Sequence, residues 1–234
     1  MKRYRRSALM EPFRKFCRAV DLLILLHALR RRGRLPGFSG LRAMTYVEMG
    51  PGPMRLATLK RALFRQVCFF DISDFGIPDP RLRIVDIEKC ADAQILVSHL
   101  PDPPQSGRVL LFADHCLEHI SQEVLIRFIR SIVDNGFTAS FRVPNILSPT
   151  GQQNYAGDST HRTSFDPKFR REMESFGFSV FPWIRWYRPR LAARALFGGT
   201  TAMAHAEEIV LSAACRRPAP ILGTFKDPRR SKLA

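Results

Sequence analysis

The sequence predicts a single α/β domain in which helices flank a mostly parallel β-sheet. The chain has 234 residues, 45% of them hydrophobic, which suits one domain with one buried core. From residue 44 onward, short apolar runs alternate with helix-length amphipathic segments, the pattern of parallel strands joined by crossover helices. A glycine-rich turn follows the first of these runs, as it does where an open α/β sheet approaches a ligand.

The first predicted element is an amphipathic helix over residues 11–32. Its apolar residues recur at intervals of three and four, and Pro36-Gly37 ends the pattern. One face is apolar and both ends are basic, so the helix either lies on a membrane surface, covers a substrate, or packs on the core of the domain. Of these interpretations we favour packing on the core.

Seven strands follow, each a short apolar run bounded by turn residues. They are predicted at residues 44–48, 67–72, 82–86, 108–113, 137–143, 178–184 and 207–214. Further helices are predicted between them, at residues 54–65, 90–98, 120–134 and 166–176. The segment 98–108 is a loop by composition, and we expect residues 218–234 to be poorly ordered.

The positive charge is concentrated at the two ends of the chain. The formal net charge is +16; residues 1–43 hold 12 Lys and Arg against 2 acidic residues, and residues 215–234 hold 6 against 1. Residues 44–214 carry 19 basic and 18 acidic residues. This distribution argues against a basic channel through an active site. It favours ends attracted to an anionic surface such as membrane lipid or RNA, with simply solvated ends as the alternative.

Three regions follow from these patterns. They are a basic N-terminal extension with a helix (1–43), a catalytic-type domain (44–215) and a basic, disordered tail (216–234). The five cysteines form no C-x-x-C pair, which indicates free thiols in a reducing cytoplasm. The apolar stretch 20–29 is too short to cross a bilayer, and arginines rather than a cleavage site follow it. We therefore expect a cytoplasmic protein, with peripheral contact to the inner membrane as an option.

Acidic residues stand at the ends of the first three predicted strands. Glu48 precedes the turn Gly50-Pro-Gly52, Asp71 ends the second strand, and Asp86 ends the third. A side chain at either glycine would fill space that a ligand needs. Asp71 stands 19 residues after Gly52, the spacing at which an acid accepts hydrogen bonds from ribose hydroxyls. Because parallel strands end at one edge of a sheet, the pattern predicts a nucleoside site with several carboxylates.

A second polar cluster follows the fourth predicted strand. Asp114, His115, Glu118 and His119 occur within six residues. If this segment is helical, His115 shares a face with Glu118 and His119 at i+3 and i+4. With His161 from a later loop, these histidines are candidate general bases, since free imidazole titrates at about pH 6.5. Alternatively, Glu118 and His119 only brace the start of a helix.

Five segments stand out in chain order. They are Tyr46-Val-Glu-Met-Gly-Pro-Gly-Pro53, Asp71-Ile-Ser73, Ala113-Asp-His-Cys-Leu-Glu-His-Ile120, Arg142-Val-Pro-Asn145 and Asp158-Ser-Thr-His161 with Phe165. Together they resemble the landmarks of class I S-adenosylmethionine-dependent methyltransferases, most of all the methyltransferase type 11 group and small bacterial enzymes linked to cell-surface polysaccharide synthesis. The resemblance spans about residues 44–184. It implies a Rossmann-like fold with a seven-stranded, mostly parallel sheet. Met54 departs from the pattern, because a third glycine is usual there.

The resemblance also implies roles for individual residues around S-adenosylmethionine. Those expected at the cofactor are Glu48, Gly50 and Gly52 at its methionine part, Asp71 at its ribose, Asp86 and Ile87 at its adenine, Asp114 and His115 beside its sulfonium, and Ile72 as a further contact. Carboxylates suit a cationic sulfonium and would repel the pyrophosphate of a dinucleotide. Methyl transfer also needs the acceptor aligned and deprotonated, for which His115, His119 and His161 are the candidate bases.

The Glu118-His119 dipeptide with the later His161 also resembles the metal site of small-RNA 3′-terminal 2′-O-methyltransferases, although His115 stands at the position of their first glutamate. Mixed carboxylate and imidazole ligation suits Mn, Fe or Zn better than Mg. We assign no metal and keep these three residues as candidate ligands. The prediction is methylation of an oxygen on a small or glycan-like acceptor. The alternatives are RNA 2′-O-methylation and a non-catalytic, methyltransferase-like binding protein.

Overall fold

The protein has a seven-stranded sheet with helices on both faces, as the sequence predicts. The structure, a computed structural model, describes residues 2–51, 56–73, 79–100, 108–183 and 208–213. Gly52, Met54 and the whole basic tail 216–234 lie outside the described residues, as does most of the segment 98–108. The expectations for those positions therefore stay predictions.

The sheet has the strand order β3-β2-β1-β4-β5-β7-β6. Its strands are β1 (Thr45–Met49), β2 (Gln66–Asp71), β3 (Leu82–Ile84), β4 (Val109–Asp114), β5 (Thr138–Pro144), β6 (Ser179–Trp183) and β7 (Glu208–Ala213). β7 runs antiparallel to both of its neighbours, β5 and β6, and all other pairs are parallel. All seven predicted strands are confirmed, with bounds that agree to within two residues.

The helices agree with prediction less closely. They are α1 (Lys2–Arg31), α2 (Phe38–Leu41), α3 (Ala57–Leu63), α4 (Ile87–Cys90), α5 (Ala93–Ser98), α6 (Gln122–Asp134), α7 (Pro149–Ala156) and α8 (Pro167–Ser175), with a 3₁₀ turn at Leu117–His119. The first helix begins nine residues earlier than predicted. The helix predicted at residues 90–98 is two short helices, because Asp86 and Asp92 each cap a separate N-terminus.

The short helix α7 was not predicted. Its sequence has no apolar periodicity, so the pattern that identified the other helices is missing there. The structure shows a local cause instead: Ser148 accepts a hydrogen bond from the Gly151 amide, and Pro149 occupies the first turn. A capping signal alone is therefore enough to start a helix at this position.

Two hydrophobic clusters cover the two faces of the sheet. One lies between the sheet and the helices α5, α6 and α8. The other is covered by α1, whose Leu22, Leu25, Leu26 and Leu29 are each at most 5% exposed. Burying one leucine stabilises a fold by about 2 kcal/mol. The structure thus agrees with the interpretation that the N-terminal helix packs on the core.

A buried polar contact also ties α1 to the sheet. Asp21, which is 3% exposed, accepts hydrogen bonds from the Arg142 guanidinium on β5 and from Trp183 Nε1 on β6, the latter at 3.3 Å. A carboxylate buried in this way is tolerated because it is paired with a cation. Among the described residues, no helix is both long enough and apolar enough to cross a membrane.

Candidate active site

Strands β1, β2 and β4 end level with one another. Met49 pairs with Phe70 on one side and with Ala113 on the other. The residues that follow, Gly50, Asp71 and Asp114, therefore meet at the carboxyl edge of the sheet. This is the edge at which open α/β folds bind ligands.

Gly50 opens the turn after β1 in a conformation that requires glycine. Its φ angle is +64°, and a Cβ at this position would lie 2.8 Å from both Cβ and Sγ of Cys116. The Gly50 amide donates to the Phe70 carbonyl at 2.9 Å, which fixes the turn against β2. The backbone is thus packed closely against Cys116, and this contact alone requires glycine; the predicted role of Gly50 beside a ligand stays a prediction.

Glu48 is paired with a lysine that the sequence analysis did not identify. The carboxylate is 6% exposed and accepts a hydrogen bond from Lys60 Nζ on α3, which is itself 4% exposed. Burial raises the pKa of Glu48, and the nearby ammonium offsets this only in part. Glu48 is the fourth residue of β1, which ends one residue later, at Met49, than the sequence predicts.

Asp71 is the last residue of β2 and is 9% exposed. Its Oδ1 atom accepts a hydrogen bond from the Ile72 amide at 2.8 Å. Ile72, the next residue, is 73% exposed, so an aliphatic side chain lies open beside this carboxylate. A carboxylate next to an open apolar surface suits a ligand that has both hydroxyls and a flat ring.

The expectation that Asp86 ends the third strand is wrong. β3 ends at Ile84, and Asp86 is the N-cap of α4, where its carboxylate accepts from the Glu88 amide at 3.0 Å. It also lies 3.2 Å from Lys89 Nζ. Ile87 is 7% exposed and belongs to the hydrophobic cluster under α5 and α6. Capping and packing thus explain both residues without a ligand.

Asp114, the last residue of β4, is held by an arginine fork. Arg142 on β5 donates from Nε to Asp114 Oδ1 at 3.0 Å and from Nη2 to Oδ2, while its Nη1 donates to Asp21. Burial would lower the pKa of Arg142, but the Asp114, Glu208 and Asp21 carboxylates raise it well above its usual range. The two parallel hydrogen bonds fix the plane of the Asp114 carboxylate.

His115 lies between two buried carboxylates. Its Nδ1 is 3.1 Å from Glu118 Oε1 and its Nε2 is 2.9 Å from Glu208 Oε1 on β7. Burial opposes protonation of the ring, but the hydrogen bonds to Glu118 and Glu208 outweigh it and raise the pKa of His115 to about 10. His115 is therefore an imidazolium at neutral pH. This weighs against its predicted role as a general base, because both of its nitrogens carry protons.

The residues 115–119 do not form one continuous helix. His115 has a φ of +54°, and the 3₁₀ turn begins only at Leu117. The prediction that His115, Glu118 and His119 share one face of a helix is therefore wrong. His115 and Glu118 are nevertheless within hydrogen-bonding distance. Sequence reasoning missed Glu208, which lies 93 residues further along the chain and is brought in by the antiparallel strand β7.

Glu118, His119 and His161 lie together on the other side of this turn. Each offers one ligand atom such that all three atoms lie within 4.8 Å of one another, and the two imidazole rings are 4.8 Å apart. His161 Nδ1 lies 2.8 Å from the Tyr155 carbonyl, and His119 Nδ1 lies 2.8 Å from Thr160 Oγ1. Because Nδ1 of each ring has a partner in the protein, Nε2 is the atom of each that would bind a metal, and metal-binding histidines use such outer hydrogen bonds.

Glu118 fits a cation in a second way. Its side chain is 0% exposed, and its Oε2 atom is buried with no hydrogen-bond partner among the described residues. A buried carboxylate oxygen without a donor is costly unless a proton or a cation compensates it. The loop that carries His161 is attached to Glu118 through its backbone, since the Glu118 carbonyl accepts from the amides of Arg162 and Thr163.

The comparisons with known proteins show the fold. A crystal structure of an S-adenosylmethionine-dependent methyltransferase from Archaeoglobus fulgidus aligns with a TM-score of 0.54 at 16% identity, covering 81% of this chain and 92% of that one. One from Mesorhizobium loti aligns with a TM-score of 0.48 at 14% identity, covering 77% and 94%. The sequence matches no protein-family model and no curated protein. With the observed strand order, the first likeness confirms the predicted Rossmann-like class I methyltransferase fold.

Proposed function

We propose that this protein is an S-adenosylmethionine-dependent methyltransferase that methylates an oxygen of a small or glycan-like acceptor. The observation that carries the proposal is the carboxyl edge of the sheet, where Gly50 turns tightly beside Asp71 and Asp114. S-adenosylmethionine presents a sulfonium, an ammonium and two ribose hydroxyls, and carboxylates suit each of these groups. The fold agrees with this proposal but does not determine it, because one fold hosts many functions.

The residues around the edge have separable roles in this proposal. Asp71 accepts hydrogen bonds from the ribose, with the exposed Ile72 side chain beside the adenine. Asp114, oriented by Arg142, faces the cationic part of the cofactor. Gly50 lets the backbone come close to the methionine part. Gly52 lies outside the described residues, and its contact with the methionine part stays a prediction, as do the contacts of Asp86 and Ile87 with adenine.

The acceptor's proton goes to an imidazole of the pair His119 and His161 in this proposal. His115 is protonated at neutral pH by its two carboxylate partners, so it positions Glu118 and Glu208 rather than taking a proton. Methyl transfer is an in-line displacement whose rate depends on alignment and on removal of the acceptor's proton. A neutral imidazole next to the acceptor supplies the second requirement.

Isothermal titration calorimetry with S-adenosylmethionine and S-adenosylhomocysteine tests the cofactor site. We expect Asp71→Asn to weaken binding about tenfold or more, because an acceptor of ribose hydroxyl protons is lost. The control Asp134→Asn removes the same charge from an exposed position at the end of α6. No binding to the wild type at about 1 mM ligand would defeat both enzymatic proposals and favour a non-catalytic binding protein.

Comparison of glycans, lipids and RNA from cells with and without the gene tests the acceptor. We expect one methyl group to disappear from a glycan or a small molecule by mass spectrometry. The basic ends of the chain support a cytoplasmic enzyme that contacts the anionic inner membrane near such acceptors. Loss of a methyl group from RNA alone would contradict the proposed acceptor class.

RNA 2′-O-methylation with a bound metal is a second candidate, favoured by one observation. Glu118, His119 and His161 place three ligand atoms within 4.8 Å, and the buried Glu118 Oε2 suits a cation. One carboxylate and two imidazoles match Mn, Fe or Zn. Such a metal would act as a Lewis acid toward an acceptor oxygen. His119 and His161 would then be its ligands instead of bases.

Metal analysis of the purified protein separates the two roles of these histidines. The metal candidate predicts about one equivalent of a first-row metal in the wild type, lost in His119→Ala and kept in the control His27→Ala, which changes an exposed histidine of α1. A metal-free wild type whose activity resists chelators would exclude this candidate and support His119 and His161 as bases.

A further inference from the structure

A second concave site lies at the opposite edge of the sheet, where β2 and β3 begin. It is a pocket of about 400 Å³ formed by the end of α3, the first residues of β2 and the turn before β3. The size is within the range of small-molecule sites. Since Gln66 and Leu82 are the first residues of parallel strands, this pocket and the carboxyl edge lie on opposite edges of one sheet.

Four arginines line the pocket: Arg61, Arg65, Arg81 and Arg83. The remaining lining residues are mostly apolar and include Phe64, Val67 and Pro80. Guanidinium groups form planar forks that bind two oxygens of a phosphate at once. Arginines over an apolar floor are therefore suited to a ligand that combines phosphate with an organic part.

One carboxylate offsets part of this charge. Asp79 accepts from Arg81 Nε at 2.7 Å and also from its Nη2. The hydrogen bonds from Arg81, with a smaller contribution from Arg61, lower the pKa of Asp79. Arg83 donates to the backbone carbonyls of Pro80 and Leu82, which are neutral acceptors. Among the described residues that line the pocket, four are thus cationic and none is acidic, with Asp79 beside Arg81.

We propose that this pocket binds the phosphate groups of a small organic phosphate. A concave site of this volume suits a small molecule, and docking to a membrane or a nucleic acid is an outcome that the test distinguishes. The carboxyl edge, with its carboxylates, would repel the same ligand. The proposal does not depend on the methyl transfer proposed above, since the two sites share no residue.

Calorimetric titration with inorganic pyrophosphate at low salt tests the pocket. The variant Arg61→Gln/Arg65→Gln replaces two exposed arginines of the pocket, and a melting temperature equal to that of the wild type is the check that the fold is retained. The control Arg127→Gln/Arg171→Gln replaces two exposed arginines on α6 and α8, so it has the same net charge as the pocket variant. We expect pyrophosphate affinity to fall about tenfold or more in the pocket variant and less than about twofold in the control.

Three results would overturn the proposal. The first is no pyrophosphate binding to the wild type at about 10 mM. The second is an equal loss in the two variants, which would mean that only net charge attracts the anion. The third is binding to phosphatidylglycerol vesicles or to RNA that depends on Arg61 and Arg65 while pyrophosphate does not bind, which would make this edge a docking surface. S-adenosylmethionine titrations of the same variants, expected to be unchanged, keep failure here distinct from failure of the cofactor site.

Discussion

Replacing Gly50 by alanine should disrupt the turn at the carboxyl edge, and the size of the effect follows from two separate costs. The first is the left-handed backbone at φ +64°, which costs a residue with a Cβ about 1–2 kcal/mol. The second is steric. The new Cβ would lie 2.8 Å from Cβ and Sγ of Cys116, and because one of these atoms is attached directly to the backbone, it cannot rotate away.

Forced insertion of a methyl group into packed structure costs about 1–3 kcal/mol. Gly50→Ala is therefore expected to lower the free energy of unfolding by about 2–5 kcal/mol in total. At roughly 3 °C per kcal/mol for a chain of this size, the melting temperature should fall by about 10 °C. The variant should also bind S-adenosylmethionine more weakly than the wild type in calorimetry.

Gly33 offers a matched control for the backbone cost. It follows α1 with a φ of +68°, and a Cβ there would meet nothing within 4 Å. Gly33→Ala should therefore lose only about 1–2 kcal/mol in urea denaturation and keep its affinity for S-adenosylmethionine. If the two variants unfold within about 0.5 kcal/mol of each other, the contact with Cys116 carries no energy and the reasoning about this turn is refuted.

Two further perturbations address the polar contacts behind the edge. The pKa of His115 is raised to about 10, so the stability that its protonated ring adds to the fold is fully present below the ordinary pKa of histidine and is lost as pH rises toward 10. The difference in unfolding free energy between wild type and His115→Gln, measured by urea titration, should therefore shrink from pH 7 to pH 10. A difference that stays constant over this range would contradict the imidazolium. Asp21→Ala removes the hydrogen bonds from Arg142 and Trp183 but leaves Arg142 paired with Asp114, so it should cost about 2–3 kcal/mol. The exposed Ile24→Ala on the same helix should cost under about 1 kcal/mol, and equal costs would show that α1 is held by its leucines alone.

The sheet was predictable because each strand is a compact apolar run that ends at turn residues. Pattern alone locates such segments, and all seven were found. The wrong strand end at Asp86 and the missed helix α7 share another cause. Asp86 looked like the end of a strand, but its carboxylate caps α4, and Ser148 starts a helix that has no apolar periodicity. Capping depends on one side chain and one amide, and apolar patterns do not register it.

The candidate site was predictable for residues that are local in sequence. Gly50 follows a strand, Asp71 and Asp114 end strands, and all three could be identified from the sequence. The residues that pair with side chains of the site could not be identified in this way. Lys60, Arg142 and Glu208 bind Glu48, Asp114 and His115 respectively, and two of the three come from strands or helices that are distant in sequence. These partners change the protonation state of the site, because Glu118 and Glu208 together raise the pKa of His115 and make it an imidazolium.

The distribution of charge shows most clearly what a count of residues misses. Residues 44–214 are nearly neutral by count, which argued against a basic channel through an active site. The parallel sheet separates these charges in space, because all parallel strands begin at one edge and end at the other. Arg65, Arg81 and Arg108 directly precede β2, β3 and β4, whereas Asp71 and Asp114 end β2 and β4. The neutral domain thus has a cationic edge and an anionic edge. A cationic cofactor and a phosphate ligand would each be attracted to one edge and repelled by the other, so one small domain can hold both without competition.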